Sequence, residues 1–164
     1  MAIKVTSQAI AAMRDAARAR HPDEACGLLW GPVLGPALGP VSEGRDMPGE
    51  DCAHIARLEE VANVHPTPRT HFEIDPQALI NAHRAQREGA GLAGASGPEP
   101  GAASEALIGY FHSHPTGSAR PSACDARMAA GDGKIWAIVA GEEVTFWRDE
   151  AEGFCALSFR VVDP

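Results

Sequence analysis

The chain has 164 residues, of which 45% are hydrophobic. This length predicts one domain (residues 1–164) that can bury a core without disulfides or a structural metal. Its formal net charge of −8 at pH 7 is spread along the sequence, and no cluster of lysine or arginine indicates a nucleic-acid partner. No apolar run approaches the ~20 residues that span a bilayer, and no signal-peptide core is visible, so we expect a cytoplasmic protein without membrane association.

The N-terminal third predicts two strands that flank a helix. Residues 3–5 favour a short strand, and a helix with one apolar face follows over about 7–20. The run 23–31 begins with acidic residues and becomes apolar, which is typical of a buried strand. Glu24 lies at the mouth of that strand, and we interpret this partly enclosed position as suitable for a catalytic base.

The middle of the chain is less uniform. Residues 32–40 are rich in proline and glycine and predict a hairpin-like loop, with a strand near 41–45. The segment 51–63 leaves two interpretations open, since its middle alternates like a strand while its end suits a helix equally well. Residues 70–74 alternate between apolar and polar side chains and predict a strand.

A helix start follows directly. Asp75 as N-cap and Pro76 as first helical residue predict a helix that runs to about Glu88. The next tract, 89–104, consists almost entirely of Gly, Ala, Ser and Pro, so we expect a mobile surface loop there.

The C-terminal half supplies most of the predicted sheet. Residues 107–111 form an apolar, aromatic-ended strand pattern that leads into a histidine pair. Three further strands are predicted over 134–140, 144–148 and 154–162. The order of elements therefore predicts a mixed β-sheet with helices beside it.

The stretch from His112 to Asp125 has the composition of a metal site. Residues two apart on a strand point to the same face, so His112 and His114 project to one side. Ser122 is placed to cap a helix over 123–130, which puts Asp125 in the first turn, where the helix dipole favours a carboxylate. Two imidazoles and one carboxylate could therefore converge on one point.

Three protein ligands with a fourth position left for water are typical of a catalytic zinc centre. Zinc in such a site lowers the pKa of its water to about 7, but the reaction still needs a group that accepts the proton. The stretch 112–125 has no second carboxylate for this purpose, so the base must come from elsewhere in the chain. Glu24 is our candidate.

Together these residues resemble a known family. Glu24 with the following Cys-Gly-Leu-Leu, then His112-Ser-His114-Pro, then Pro-Ser122-x-x-Asp125, is similar to the JAMM (MPN-plus) metalloproteases, in their bacterial single-domain branch. His114 and Asp125 are eleven positions apart, which is the family interval. The segment 63–76 also resembles the bacterial branch.

The resemblance implies a fold, a metal and a reaction. The implied fold is α/β (α+β-like), a curved mixed sheet flanked by helices of the cytidine-deaminase-like MPN/JAB type. The implied metal is zinc (Zn2+), and the implied reaction is hydrolysis of peptide or isopeptide bonds. Matched residue by residue, the zinc ligands are His112, His114 and Asp125, the general acid/base is Glu24, and Ser122 steadies the oxyanion. For Ser122, a purely structural role as helix cap stays equally open.

Bacterial members of this size resemble enzymes that process the C-terminal Gly-Gly tail of small ubiquitin-like sulfur-carrier proteins, so a carrier of this kind is the expected substrate. The main alternative is a non-catalytic MPN-type scaffold that binds zinc. A zinc deaminase is excluded because the motif reads His-Ser-His where a deaminase needs His-x-Glu, and because the chain has no Pro-Cys-x-x-Cys. The acidic balance also disfavours a DNA-associated branch with a similar histidine motif.

We interpret the cysteines and tryptophans as structural residues. The four cysteines contain no Cys-x-x-Cys pair, which indicates reduced thiols. The three tryptophans fall in strand patterns and are assigned to the core or to a dimer face, which leaves a homodimer open. The remaining five histidines are expected to be ordinary surface or core residues: His21, His54, His65, His71 and His83.

Overall fold

The computed structural model describes residues 2–32, 53–92 and 105–163. Eight strands and three helices lie in these ranges. In chain order they are β1 (Ala2–Thr6), α1 (Ser7–Arg20), β2 (Cys26–Pro32), β3 (His54–Ile55), β4 (Arg57–Val61), α2 (Pro76–Leu92), β5 (Glu105–Ser113), α3 (Ala123–Met128), β6 (Ile135–Ala140), β7 (Glu143–Glu150) and β8 (Gly153–Val162).

The eight strands form one mixed sheet in the order β3-β1-β8-β7-β6-β5-β2-β4. The two edge strands, β3 and β4, are consecutive in the chain and separated only by Ala56. Ala56 donates its N–H to Trp30 O at 2.8 Å, and its carbonyl accepts from Thr6 Oγ1 at 2.6 Å. Since one residue joins both edges, the sheet must curl until it nearly closes. The expected curved mixed sheet flanked by helices is confirmed.

Alternation along the strands divides the buried side chains into two clusters. The face packed against α1 buries aliphatic and aromatic residues that include Ile3, Met13 and Phe111. The opposite face, near α2, buries Trp136 and Phe72 with several aliphatic neighbours. Strand β5 contributes to both clusters because successive side chains point to opposite faces. The carboxyl end of β5 is therefore held from both sides.

Helix α1 fits the predicted pattern closely. Thr6 acts as its N-cap, with the side-chain oxygen accepting from Ala9 N at 3.1 Å. The buried side chains recur at helical spacing and include Ile10 and Met13. Asp75 likewise begins α2, since its carboxylate accepts from Gln77 N at 2.9 Å.

Two expectations for the middle of the chain are settled by tertiary pairing. The ambiguous segment 51–63 forms strands where it is described, because β4 pairs antiparallel with β2. The predicted strand at 70–74 is wrong, since its only sheet-like contact within the described residues is an isolated bridge between Asn63 and Ile74. Its alternation is real, because Phe72 and Ile74 are buried, but the Asn63 side chain takes the place of a neighbouring strand.

Helix boundaries and the loops differ from expectation in smaller ways. Helix α2 extends to Leu92, so the first four residues of the predicted loop 89–104 are helical, since glycine lowers helix stability without forbidding a helix. Helix α3 ends at Met128, two residues earlier than predicted. The predicted loop and strand over 33–45, and residues 93–104, lie outside the described residues. Within the described ranges, no helix combines the length and apolar character needed to cross a bilayer.

Candidate metal centre

Strand β5 and helix α3 bring the predicted ligands together at the carboxyl end of β5. Ser122 caps α3 through its hydroxyl oxygen, which accepts from Asp125 N at 3.1 Å. In return, Asp125 Oδ2 accepts from Ser122 N at 2.6 Å, completing a reciprocal capping box. These two bonds fix the Asp125 carboxylate, which is 3% exposed, so that it faces the histidines.

The three side chains have the spacing of a tetrahedral site. His112 Nε2 lies 3.0 Å from His114 Nε2 and 3.2 Å from Asp125 Oδ1, and His114 Nε2 lies 3.4 Å from Asp125 Oδ2. Ligand atoms about 2.1 Å from a tetrahedral metal are about 3.4 Å from one another. In the described part of the chain, this is the one group of three or more His, Cys, Asp or Glu that could hold a metal ion.

Hydrogen bonding prepares the His114 ring for this role. Its Nδ1 lies 2.8 Å from Ser118 O, and a carbonyl only accepts, so Nδ1 carries the hydrogen. The Nε2 lone pair is then free to bind a metal, as in other histidine sites oriented by a backbone carbonyl. His112 Nδ1 has no hydrogen-bond partner among the described residues.

Electrostatics favour the deprotonated, metal-binding forms of His112 and Asp125. For His114, burial is outweighed by the hydrogen bond with Asp125, which raises the pKa of this imidazole. Burial lowers the pKa of His112 and outweighs the neighbouring Asp125 carboxylate, which acts in the opposite direction. Burial also opposes ionisation of Asp125, but the hydrogen bonds with both imidazoles and with Ser122 N prevail and lower its pKa. A buried neutral imidazole beside an ionised carboxylate is a donor set that fits zinc.

Aromatic rings enclose the buried ligand. Phe72 stacks on the His112 ring with centroids 4.3 Å apart and planes 15° from parallel. Trp136 meets the same ring edge-on at 5.8 Å. His112 is 0% exposed as a result, so its orientation is fixed by packing on both sides. Shielding of this kind reduces competition from water and strengthens local electrostatics.

Glu24 stands next to these ligands. In the antiparallel pairing of β2 with β5, Cys26 is opposite His112, so continuing the register by two residues brings Glu24 level with His114. Glu24 is buried, with 7% of its surface exposed. Burial raises the pKa of Glu24 to about 7, with His114 lowering it and Asp125 raising it further. A carboxyl whose pKa is near neutral suits proton transfer.

Two residues outside the predicted site hold the backbone at Glu24 and at its neighbour Ala25. Ser113, between the two histidines, accepts from Ala25 N at 2.8 Å and donates its own N–H to Ala25 O at 3.0 Å. Asn63 Nδ2 donates to Glu24 O at 3.0 Å, and Glu24 N donates to Pro68 O at 2.7 Å. The only sequence signal for Ser113 is its place between the ligands, and Asn63 carries none beyond its position before a proline-rich loop.

Asn63 links Glu24 to the loop that carries Phe72. Besides Glu24 O, its Nδ2 donates to His71 O at 3.0 Å, and its Oδ1 accepts from His65 N at 3.1 Å and Glu73 N at 3.0 Å. All the hydrogen-bonding positions of this amide are therefore used.

We expect Asn63→Ala to lower the free energy of unfolding by about 1–3 kcal/mol, because it leaves backbone groups without partners. Urea titration measures this change. Asn81→Ala is the matched control, since Asn81 is exposed and accepts only from Gln77 Nε2 among the bonds of the described residues; it should stay within about 0.5 kcal/mol. Faster amide exchange at His65 and Glu73 should accompany the loss in Asn63→Ala. Equal stability of the two variants would contradict this account.

The structure also locates the other residues that the sequence singles out. Ser122 is exposed at the start of α3, and its hydroxyl oxygen serves the cap while its O–H hydrogen stays available to donate. The five other histidines do not join the cluster. The described cysteines are free thiols, with Cys26 buried; Cys52 lies outside the described residues. Trp30 and Trp136 are buried, as expected of core residues.

Comparison with known proteins agrees with this geometry. The model of a family described as prokaryotic homologs of the JAB domain matches residues 6–150. A desampylase of Haloferax volcanii is 25% identical over 125 residues, covering 76% of this chain and 68% of the relative. A probable TtuB-protein conjugate cleaving protease of Thermus thermophilus is 36% identical over 76 residues, covering 46% of this chain and 41% of the relative.

A solved structure shares the fold over nearly the whole chain. The solution structure of a protein from Desulfitobacterium hafniense superposes with a TM-score of 0.70 at 26% identity. The superposition covers 99% of this chain and 94% of that protein.

Proposed function

Because this chain belongs to the prokaryotic JAB-domain family, we propose that it is a zinc metallopeptidase that hydrolyses peptide or isopeptide bonds next to the Gly-Gly terminus of a ubiquitin-like sulfur-carrier protein. The observation that carries the proposal is the convergence of two imidazole nitrogens and the Asp125 carboxylate, with contacts of 3.0–3.4 Å, beside a buried glutamate. The names of the two relatives, a desampylase and a conjugate cleaving protease, support the choice of a protein conjugate as substrate. The cytoplasmic location expected from the sequence stays a prediction.

His112, His114 and Asp125 would hold the zinc ion. Zinc in such a site supplies Lewis-acid chemistry and makes hydroxide available near neutral pH. Both imidazoles would bind through Nε2, since these two atoms lie 3.0 Å apart and His114 Nδ1 is already committed to Ser118 O. The capping box and the packing of Phe72 keep the three side chains in place before the substrate arrives.

Glu24 would take the proton from the attacking water and return it to the leaving amine. A buried carboxyl with a pKa of about 7 can perform both transfers at neutral pH. Ser122 would donate its O–H to the carbonyl oxygen of the scissile bond as that oxygen gains negative charge. The same hydroxyl oxygen continues to accept from Asp125 N, so capping and catalysis are compatible.

A scaffold that binds zinc without turning over substrate is the alternative. Such a scaffold would need the metal ligands alone, whereas this chain also buries Glu24 and fixes its backbone from both sides. Burial of a carboxyl group lowers stability, so the position of Glu24 next to the ligands favours a catalytic role over a scaffold.

We expect kcat/KM to be at least ~10-fold higher for a carrier domain fused through Gly-Gly to a reporter protein than for a peptide of the same tail. A Gly-Gly tail offers no side chains, so selectivity must come from the folded body and its surroundings. Initial rates of cleavage give kcat/KM for both substrates. A second fusion, in which the Gly-Gly terminus is joined to a lysine side chain of the reporter, tests isopeptide cleavage. Enzyme treated with a chelator and then resupplied with zinc serves as control. Equal kcat/KM on fusion and tail peptide would exclude the carrier as the recognised substrate.

A further inference from the structure

A cavity of about 350 Å³ opens on the α2 side of the sheet, beside the metal centre. Its wall is mainly apolar and aromatic, with Leu79 from α2, Tyr110 from β5 and Met128 from α3. Phe72 and Trp136 are among the other apolar residues of the wall, which also has three acidic members, Glu73, Asp132 and Asp149. Cavities of this size with apolar and aromatic walls are typical of sites that bind a side chain or a small ligand.

Two aromatic rings separate the cavity from the metal centre. Phe72 and Trp136 line it on one side, and the same rings contact His112 at 4.3 Å and 5.8 Å between centroids. No metal ligand lines the cavity itself. A group bound there would therefore lie one aromatic layer away from the reacting bond.

The wall also carries two buried polar atoms that have no hydrogen-bond partner among the described residues: Trp136 Nε1 and Asp149 Oδ1. The residues are 4% and 1% exposed. The other oxygen of Asp149 is occupied, since Oδ2 accepts from Ala130 N at 2.8 Å and Gly131 N at 2.9 Å. Both unpaired atoms are fully enclosed, so an apolar side chain bound in the cavity would contact the carbon surface of the wall and leave their hydrogen bonding unchanged.

We propose that this cavity is a specificity pocket that binds one leucine-sized or aromatic side chain of the protein substrate, close to the scissile bond. The inference rests on the proposed hydrolysis and extends it, because a tail of two glycines cannot fill an apolar cavity. The occupant is a substrate side chain rather than a free metabolite, since the cavity adjoins the metal centre through Phe72 and Trp136.

Filling the pocket tests the proposal. Met128→Trp places a large ring at the rim, where Met128 is 44% exposed, and Leu79→Trp fills the pocket from α2. A filled pocket can no longer bury the substrate side chain. We therefore expect KM for the carrier fusion to rise about 10–100-fold in both variants, with kcat within about twofold of wild type. Ile80→Trp is the control, because Ile80 is the next residue along α2, is 50% exposed and does not line the pocket. Zinc content and thermal unfolding show that each variant is folded.

A second measurement does not depend on cleavage. The indole N–H signal of Trp136 in a ¹⁵N correlation spectrum should shift as N-acetyl-leucinamide is added, whereas those of Trp30 and Trp147, which do not line this cavity, should not. If wild-type enzyme cleaves the fusion, KM tests the pocket, and an unchanged KM in both filling variants overturns the proposal. If wild-type enzyme does not cleave the fusion, the proposed function fails, and the Trp136 signal tests the pocket instead. A saturable shift then supports the pocket, and no shift overturns it.

Discussion

Glu24→Gln should lower turnover of a carrier fusion by ~10²–10⁴-fold while zinc stays bound. Glutamine has the size of glutamate and can hydrogen-bond to water, but it cannot accept a proton. The local backbone should be unaffected, because Glu24 N and O are bonded to Pro68 and Asn63 through groups that the substitution leaves intact. The loss should therefore appear in kcat and not in metal content.

This experiment separates an enzyme from a zinc-binding scaffold. Steady-state kinetics and elemental analysis are performed on the same preparation of each variant. Glu60→Gln is the matched control, since Glu60 is an exposed glutamate that forms an ion pair with Arg20 at 2.7 Å; exposed ion pairs contribute little to stability. If Glu24→Gln cleaves the fusion at the wild-type rate, Glu24 is not the general base.

Zinc should be present at about one ion per chain in the purified protein, and His114→Ala should lose it. His114 supplies one of three ligand atoms that lie within 4.8 Å of one another. With two ligands left, binding is far weaker, and dialysis against buffer without metal should remove the ion. The capping box between Ser122 and Asp125 does not involve His114, so α3 should still form.

Elemental analysis after dialysis measures this loss directly, and the melting temperature with and without added zinc gives an independent reading. His83→Ala serves as the control, because His83 is an exposed histidine on α2 that lies outside the cluster. Unchanged zinc in His114→Ala would show that the metal is held elsewhere or by a different donor set. Normal zinc in His83→Ala would show that the loss is specific to the cluster.

Local spacing explains why the ligand group is recognisable in the amino-acid sequence. The period of a strand fixes the shared face of His112 and His114, and the first turn of a capped helix fixes Asp125 relative to Ser122. Both geometries depend on a few neighbouring residues. The convergence of the three ligand atoms within 4.8 Å is a structural observation, whereas their roles as zinc ligands stay predictions.

Segments whose structure depends on distant partners are harder to predict. The alternation at 70–74 predicts a strand, but a strand needs a neighbour, and the described part of the sheet offers none there. Asn63 supplies the missing hydrogen bonds instead, from a side chain. The segment 51–63 has two interpretations because its pattern suits both, and only the pairing of β4 with β2 decides between them.

The sequence by itself determined the strand and helix that present the ligands, the residue types available for chemistry, and the family to which the chain belongs, since all of these depend on short spacings. Only the tertiary structure decided how Glu24 is positioned, through Ser113 and Asn63, and which rings enclose His112. It also formed the cavity lined by Phe72 and Trp136. These contacts join residues that are far apart in the chain, and their pairing is set by the curl of the whole sheet, which no local pattern specifies.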